Sequence, residues 1–223
     1  MSFVDYADQE MMMIDLANQL AEELEECLLT HDHASFAVPG GTTPGPIFDA
    51  LCAVDIDWSR VHVLLTDERW VPESSERSNA ALVKERLLTD RAANAVFMPY
   101  YTGAPTPEAA MDELCTWIAR ELPLSIVLLG MGADMHTASL FPGADRLGDA
   151  LDAHAPPLVP IRAPGAPEPR VTLSAPVLSG ALSSHIVITG AEKLKALEAA
   201  THLSAQEAPV KAVLSHATVH WAP

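Results

Sequence analysis

Apolar residues recur along this chain with two different periods, and the two alternate. From Asp8 to Leu29, Met12, Leu16, Leu20 and Leu24 fall near helical spacing with acidic residues on the other face, which predicts an amphipathic helix. The run Met11 to Met13 inside it reads as core filler rather than a ligand set. Ala34 to Val38 predicts a short strand ending at Pro39-Gly40-Gly41. Thr42, Thr43 and Pro44 then predict a helix start, with a hydroxyl cap and proline in the first turn, continuing through Ile47 to Leu51. Val61 to Leu65 is an unbroken apolar run of the kind that buried parallel strands carry. After it, Thr66-Asp67-Glu68-Arg69-Trp70 reads as a charged turn, followed by a loop to Ser78 and a helix over Asn79 to Leu88. A helix over Pro107 to Arg120 leads into a strand over Ser125 to Leu129 and then Gly130-Met131-Gly132. The last clear unit is a strand over Ser184 to Thr189, Gly190, and a helix from Ala191 to near Ala200. The proline-rich stretches Ala155 to Pro160 and Ala163 to Pro169 read as ordered loops or edge elements, and no internal repeat is present.

Strands alternating with helices, with glycine or charge after each strand, predict an α/β fold. The expected architecture is an open, mostly parallel Rossmann-like sheet flanked by helices, as a single domain over residues 1–223. Ligands of such sheets bind beyond the carboxyl ends of the strands, which is where the polar and glycine-rich segments fall.

Composition narrows the function. Of 223 residues 49% are apolar, enough for a packed core, yet no apolar run is long enough to cross a bilayer. The N-terminus lacks the order of a secretory signal, so the expected location is cytoplasmic and no membrane partner is expected. Cys27, Cys52 and Cys115 form no CxxC pair and read as buried small apolar residues in a reducing compartment. The formal charge of −17, from 13 Lys plus Arg against 30 Asp plus Glu, argues against nucleic acid. It also repels small anions, so an anionic ligand requires cations concentrated in one cleft. A monomer and a weak homodimer both fit this composition.

Three segments carry candidate chemistry. In Pro39 to Pro44, two glycines before a helix let backbone amides cradle a phosphate, although a plain turn with a cap has the same appearance. Arg69 in Asp67-Glu68-Arg69-Trp70 could give a phosphate two parallel bonds with Asp67 holding it, or could be a surface ion pair beside Trp70. Gly130 to Pro142 delivers Asp134 and His136 to a strand end. Imidazole titrates near neutral pH, which suits a general base acting on water, and a neighbouring carboxylate can orient the ring. None of the other eight histidines is singled out; His31 and His33 have a spacing that could bind metal, but a solvated loop is the better reading.

These segments together resemble the 6-phosphogluconolactonase family, within the larger group that includes glucosamine-6-phosphate deaminase. Gly40 to Pro44, Asp67 to Pro72 with Ser78-Asn79, and Gly130 to Pro142 match its motifs in order, as do Pro169-Arg170-Val171-Thr172-Leu173 and Thr189-Gly190-Ala191-Glu192-Lys193. The match spans roughly residues 35 to 195. The resemblance implies hydrolysis of a phosphorylated sugar lactone, with His136 as the base and Asp134 assisting it or contacting the sugar. It implies a phosphate pocket of Gly40, Gly41, Thr42, Arg69, Arg170 and Lys193, with Asp67 beside it, and neither cofactor nor metal. Whether Arg162 joins Arg170 there is open. The family usually has glycine between the aspartate and the histidine. Here Met135 stands there, and carries a steric cost if the position needs φ > 0. Two rivals remain: an isomerase or deaminase of amino-sugar phosphates, with Asp67 moving the proton, and a sugar-phosphate sensor without turnover. The first is disfavoured because Ser139-Leu140-Phe141-Pro142 replaces that group's Asn-Glu-Pro.

Overall fold

The strand–helix alternation builds two sheets of unequal size in the computed structural model, which describes residues 1–223. In chain order the elements are β1 (Ser2–Asp5), α1 (Gln9–Thr30), β2 (Ala34–Val38), α2 (Gly45–Leu51), β3 (Val61–Leu65), β4 (Asp67–Arg69), α3 (Asn79–Arg86), β5 (Val96–Phe97) and α4 (Met111–Ile118). They continue with β6 (Ile126–Gly130), α5 (Leu147–Leu151), β7 (Leu158–Ile161), β8 (Arg170–Leu173), α6 (Ala175–Ser179), β9 (Ser183–Thr189), α7 (Gly190–Ala200), α8 (Lys211–Leu214) and β10 (Thr218–Ala222). Seven strands form a parallel sheet in the order β1-β10-β9-β6-β2-β3-β5. The chain runs outward from β2 through β3 to β5, then returns to place β6 on the other side of β2. The strand order therefore reverses between β2 and β6, and the crevice that opens there is the expected ligand position of such sheets.

The helices form where the periodicity places them. Asp8 caps α1 by accepting from the Met11 amide at 2.8 Å, and Met12, Leu16, Leu20 and Leu24 lie buried on one face. Met12 and Met13 join the core whereas Met11 is exposed. All five residues of β2 are buried, as a central parallel strand covered on both faces requires. The helix expected over Pro107 to Arg120 is α4 flanked by two 3-10 turns.

Two expectations are corrected. The segment Thr66 to Trp70 is not a simple turn, because Asp67–Arg69 is strand β4, antiparallel to β8 in a three-stranded sheet of order β4-β8-β7. The threonine cap of α2 is also absent: Pro44 occupies the cap position and no side chain bonds the helix start. The edge-element reading of the proline-rich stretch Ala155 to Pro160 holds, since Leu158–Ile161 is the outer strand β7 of the small sheet.

Between α1 and the sheet lies a buried polar chain. Tyr6 Oη donates to Asp15 at 2.9 Å and meets His220 Nδ1 at 3.0 Å. His220 Nε2 meets His185 Nδ1 at 3.0 Å, and His185 Nε2 meets Glu23 at 2.9 Å. Burial first, and the neighbouring His185 second, push the His220 imidazole down to about 4.

Candidate active site

The loops after β2, β6 and β9 and the strands β4 and β8 converge on one cavity of about 280 Å³. The turn after β2 supplies backbone. Gly41 has φ +87°, a conformation that glycine adopts without strain. The amides of Gly41 and Thr42 bond no protein acceptor, so they are free to meet an anion. Gly40 has no room for a side chain, since a Cβ there would fall 1.9 Å from Asn79 Oδ1.

The loop after β6 supplies the imidazole. Gly132 N–H donates to the His136 carbonyl at 3.0 Å, and Thr137 Oγ1 donates to the Gly130 carbonyl at 2.8 Å, closing the loop on itself. His136 Nδ1 meets Asp134 Oδ1 at 2.5 Å, and the same oxygen accepts from the His136 amide at 3.2 Å. The ring stacks on Phe141 with centroids 4.1 Å apart. Nδ1 is engaged and one face is covered, which leaves Nε2 for the cleft that His136 lines. Gly132 makes the arrangement possible, because a Cβ there would sit 2.2 Å from His136 Nδ1. Met135 adopts φ +66°, so the position does require the left-handed region, and methionine stands where glycine would carry no steric cost.

The small sheet supplies the cations. Its register places Arg69 of β4 directly opposite Arg170 of β8. Like charges so paired are destabilising unless something anionic lies between them. Glu168 is the first such group: it binds Arg77 through three contacts, two near 3.1 Å and one at 2.5 Å, and lies 3.9 Å from Arg170. Arg170 is buried, with Asp67 at 3.8 Å and the Phe141 ring 5.1 Å beneath its guanidinium. Burial pulls its pKa below the usual arginine value, and the cationic Arg69 and Arg77 add to that while Asp67 opposes it. The Nε atoms of both Arg69 and Arg170 are buried with no hydrogen-bond partner. Lys193, in the first turns of α7, lines the same cavity and forms no ion pair with the protein.

Every residue expected at the site except Asp134 lines this cavity; Asp134 stands behind His136. Arg162 does not line it: it pairs with Glu108 at 2.7 Å and Asp145 at 3.7 Å. Asp67 is not free either, since its Oδ2 accepts from Ser139 Oγ at 2.5 Å and Oδ1 from Thr66 Oγ1 at 3.3 Å. Sequence reasoning missed three supports. Phe141 lies between His136 and Arg170, and Ser139 holds Asp67; both sit in the motif already quoted, whose spacing shows no contacts. Glu68, fully buried, accepts from the amides of Arg69, Asn79 and Ala80, each at 2.8 Å, and from Ser78 Oγ at 3.2 Å. Burial pushes its carboxyl above the ordinary range while those amides pull against the shift. Its only sequence signal was a charged residue beside an apolar strand.

Comparison with known proteins gives a consistent picture. The family model described as glucosamine-6-phosphate isomerases/6-phosphogluconolactonase matches residues 7–221. A 6-phosphogluconolactonase of Rhizobium meliloti is 41% identical over 216 residues, covering 93% of each chain. One from Pseudomonas aeruginosa is also 41% identical, over 93% of this chain and 89% of its own. The crystal structure of a 6-phosphogluconolactonase from Shewanella baltica superposes with a TM-score of 0.96 at 33% identity, over 100% of this chain and 97% of that one.

Proposed function

The chain belongs to the glucosamine-6-phosphate isomerase/6-phosphogluconolactonase family, and from that premise we propose that it hydrolyses 6-phospho-D-glucono-1,5-lactone to 6-phosphogluconate. One observation carries the reading: two opposed arginines with unpartnered Nε donors share a cleft with an imidazole whose Nδ1 is tied to a carboxylate. Such a cleft holds a substrate by an anionic end and presents a base to the other.

In this mechanism the phosphate sits among Arg69, Arg170, Lys193 and the free amides of Gly41 and Thr42, with Gly40 letting the turn approach. Its binding energy places the lactone carbonyl beside His136. His136 Nε2 takes a proton from water, and the water oxygen bonds to the carbonyl carbon. The bond from that carbon to the ring oxygen then breaks, and the imidazolium returns its proton to the departing oxygen. Asp134 orients the ring and stabilises its charged form. A lactone is an activated ester, so this route calls for neither metal nor cofactor. Asp67 is committed to Ser139 and to Arg170, which fits a role in positioning the arginine better than proton transfer on an amino-sugar. No helix is long and apolar enough to cross a membrane.

The test is steady-state hydrolysis of freshly made lactone, corrected for spontaneous opening. His136→Ala is expected to lower kcat roughly a hundred- to ten-thousandfold, and Arg170→Ala chiefly to raise KM. A His136→Ala enzyme with near-normal kcat defeats the base assignment. Ammonia release from glucosamine 6-phosphate in place of lactone opening defeats the reaction itself.

A further inference from the structure

At the opposite pole of the sheet, where the parallel strands begin, three side chains from three separate segments meet. His33 precedes β2, His62 lies in β3 opposite Ser35, and Glu121 ends the helical stretch before β6. His33 Nε2 lies 3.1 Å from Glu121 Oε2, and His62 Nδ1 lies 3.0 Å from the same oxygen and 3.1 Å from Oε1. The two imidazoles stack with centroids 4.2 Å apart. Of the pair noted in the sequence, His31 stays exposed beside Thr30 and takes no part.

We propose that His33, His62 and Glu121 bind a divalent transition-metal ion of borderline softness, such as Zn2+. One ligand atom from each residue falls within 4.8 Å of the other two. Two of the three edges, 3.0 and 3.1 Å to Glu121 Oε2, approach that of a zinc-sized tetrahedron, about 3.3 Å for ligand bonds of about 2.0–2.1 Å, and the stacked rings must turn about their side-chain bonds to aim both nitrogens at the ion. Two imidazoles and one carboxylate suit this class of ion and not the hard, oxygen-seeking Mg2+ or Ca2+. The ligands are held independently of an ion. Arg60 donates to the carbonyls of Leu28, His31 and Asp32 at 2.6–2.9 Å, fixing the segment that carries His33. Ser35 Oγ donates to the Glu121 carbonyl at 3.1 Å. Glu121 is buried, whereas His33 borders an open groove of about 430 Å³, which provides an entry path and room for water in a fourth position. The five residues of β2 put this site roughly 17 Å from the catalytic loops. The ion would therefore clasp β2, β3 and the approach to β6 together without entering the reaction.

The test uses the full chain after chelation and dialysis. Titration with Zn2+ is expected to show one equivalent bound and a raised Tm, with no rise from Mg2+. His62→Asn and Glu121→Gln are each expected to lose at least about tenfold in Zn2+ affinity, while keeping wild-type lactone hydrolysis. His33→Asn, at the most exposed member, serves if either of these variants fails to fold. Co2+ is expected to give the visible bands of a four-coordinate ion without a thiolate charge-transfer band. Zn2+ binding that survives in the variants, a thiolate band pointing to Cys27, or no binding at micromolar Zn2+ overturns the proposal.

Discussion

Replacing Glu68 with glutamine changes one buried atom and tests whether the arginine strand is fastened as described. Oε1 accepts from the Arg69 and Asn79 amides, and Oε2 from the Ala80 amide and Ser78 Oγ. An amide side chain offers a single oxygen. If it keeps the first pair, its NH2 faces the Ala80 N–H, donor against donor, while the Ser78 hydroxyl can rotate to accept. One backbone N–H is left buried and unpaired, and two bonds lose their charge assistance. An orphaned buried donor costs about 1–3 kcal/mol, and bonds to a charged group exceed neutral ones by a fraction of that. A total near 3 kcal/mol follows, equivalent to a fall in Tm of roughly 6–12 °C for a chain of this length. Urea unfolding of both proteins measures it directly. Because Glu68 ties β4 to the start of α3, the residual folded enzyme is expected to show a raised KM, through a displaced Arg69, with kcat less affected. A stability change within about 0.5 kcal/mol, the range of an ordinary surface substitution, refutes the account.

Gly132→Ala is expected to push the His136 ring off Asp134, since the new Cβ would sit 2.2 Å from Nδ1; kcat falls while affinity for 6-phosphogluconate, measured calorimetrically, holds. Loss of both together points to a collapsed cleft instead. The buried His220 predicts acid sensitivity. Folded His220 takes its proton only near pH 4, whereas an unfolded histidine takes it near 6.5. Between those values the unfolded chain binds more protons, so stability falls as pH drops through that window, by up to about 3 kcal/mol, and this contribution is flat below it. Urea midpoints from pH 7.5 to 4 are expected to show that slope in the wild type and a shallower one in His220→Asn; equal slopes reject it.

The order of the long apolar segments was enough to specify the parallel frame, because β2, β3, β6 and β9 are each buried by their own composition and joined by helices of plain periodicity. It was also enough to locate Gly40, Gly41, Asp134 and His136, which follow directly on those strands. What tertiary structure decided was pairing between distant short segments. A three-residue strand such as Asp67–Arg69 has no period to read, and only its ladder with β8 brings Arg69 opposite Arg170. β1 and β10 were not legible because Thr218, His220 and Trp221 break up the apolar run of β10 and β1 has four residues with little burial, and pairing across the two chain ends makes β1 a strand beside β10. The stacking of Phe141 under both His136 and Arg170, and the meeting of His33 with His62 and Glu121, are contacts between side chains on different elements. Local sequence encodes the propensity of each piece, whereas such meetings depend on where the packed core sets the pieces against one another.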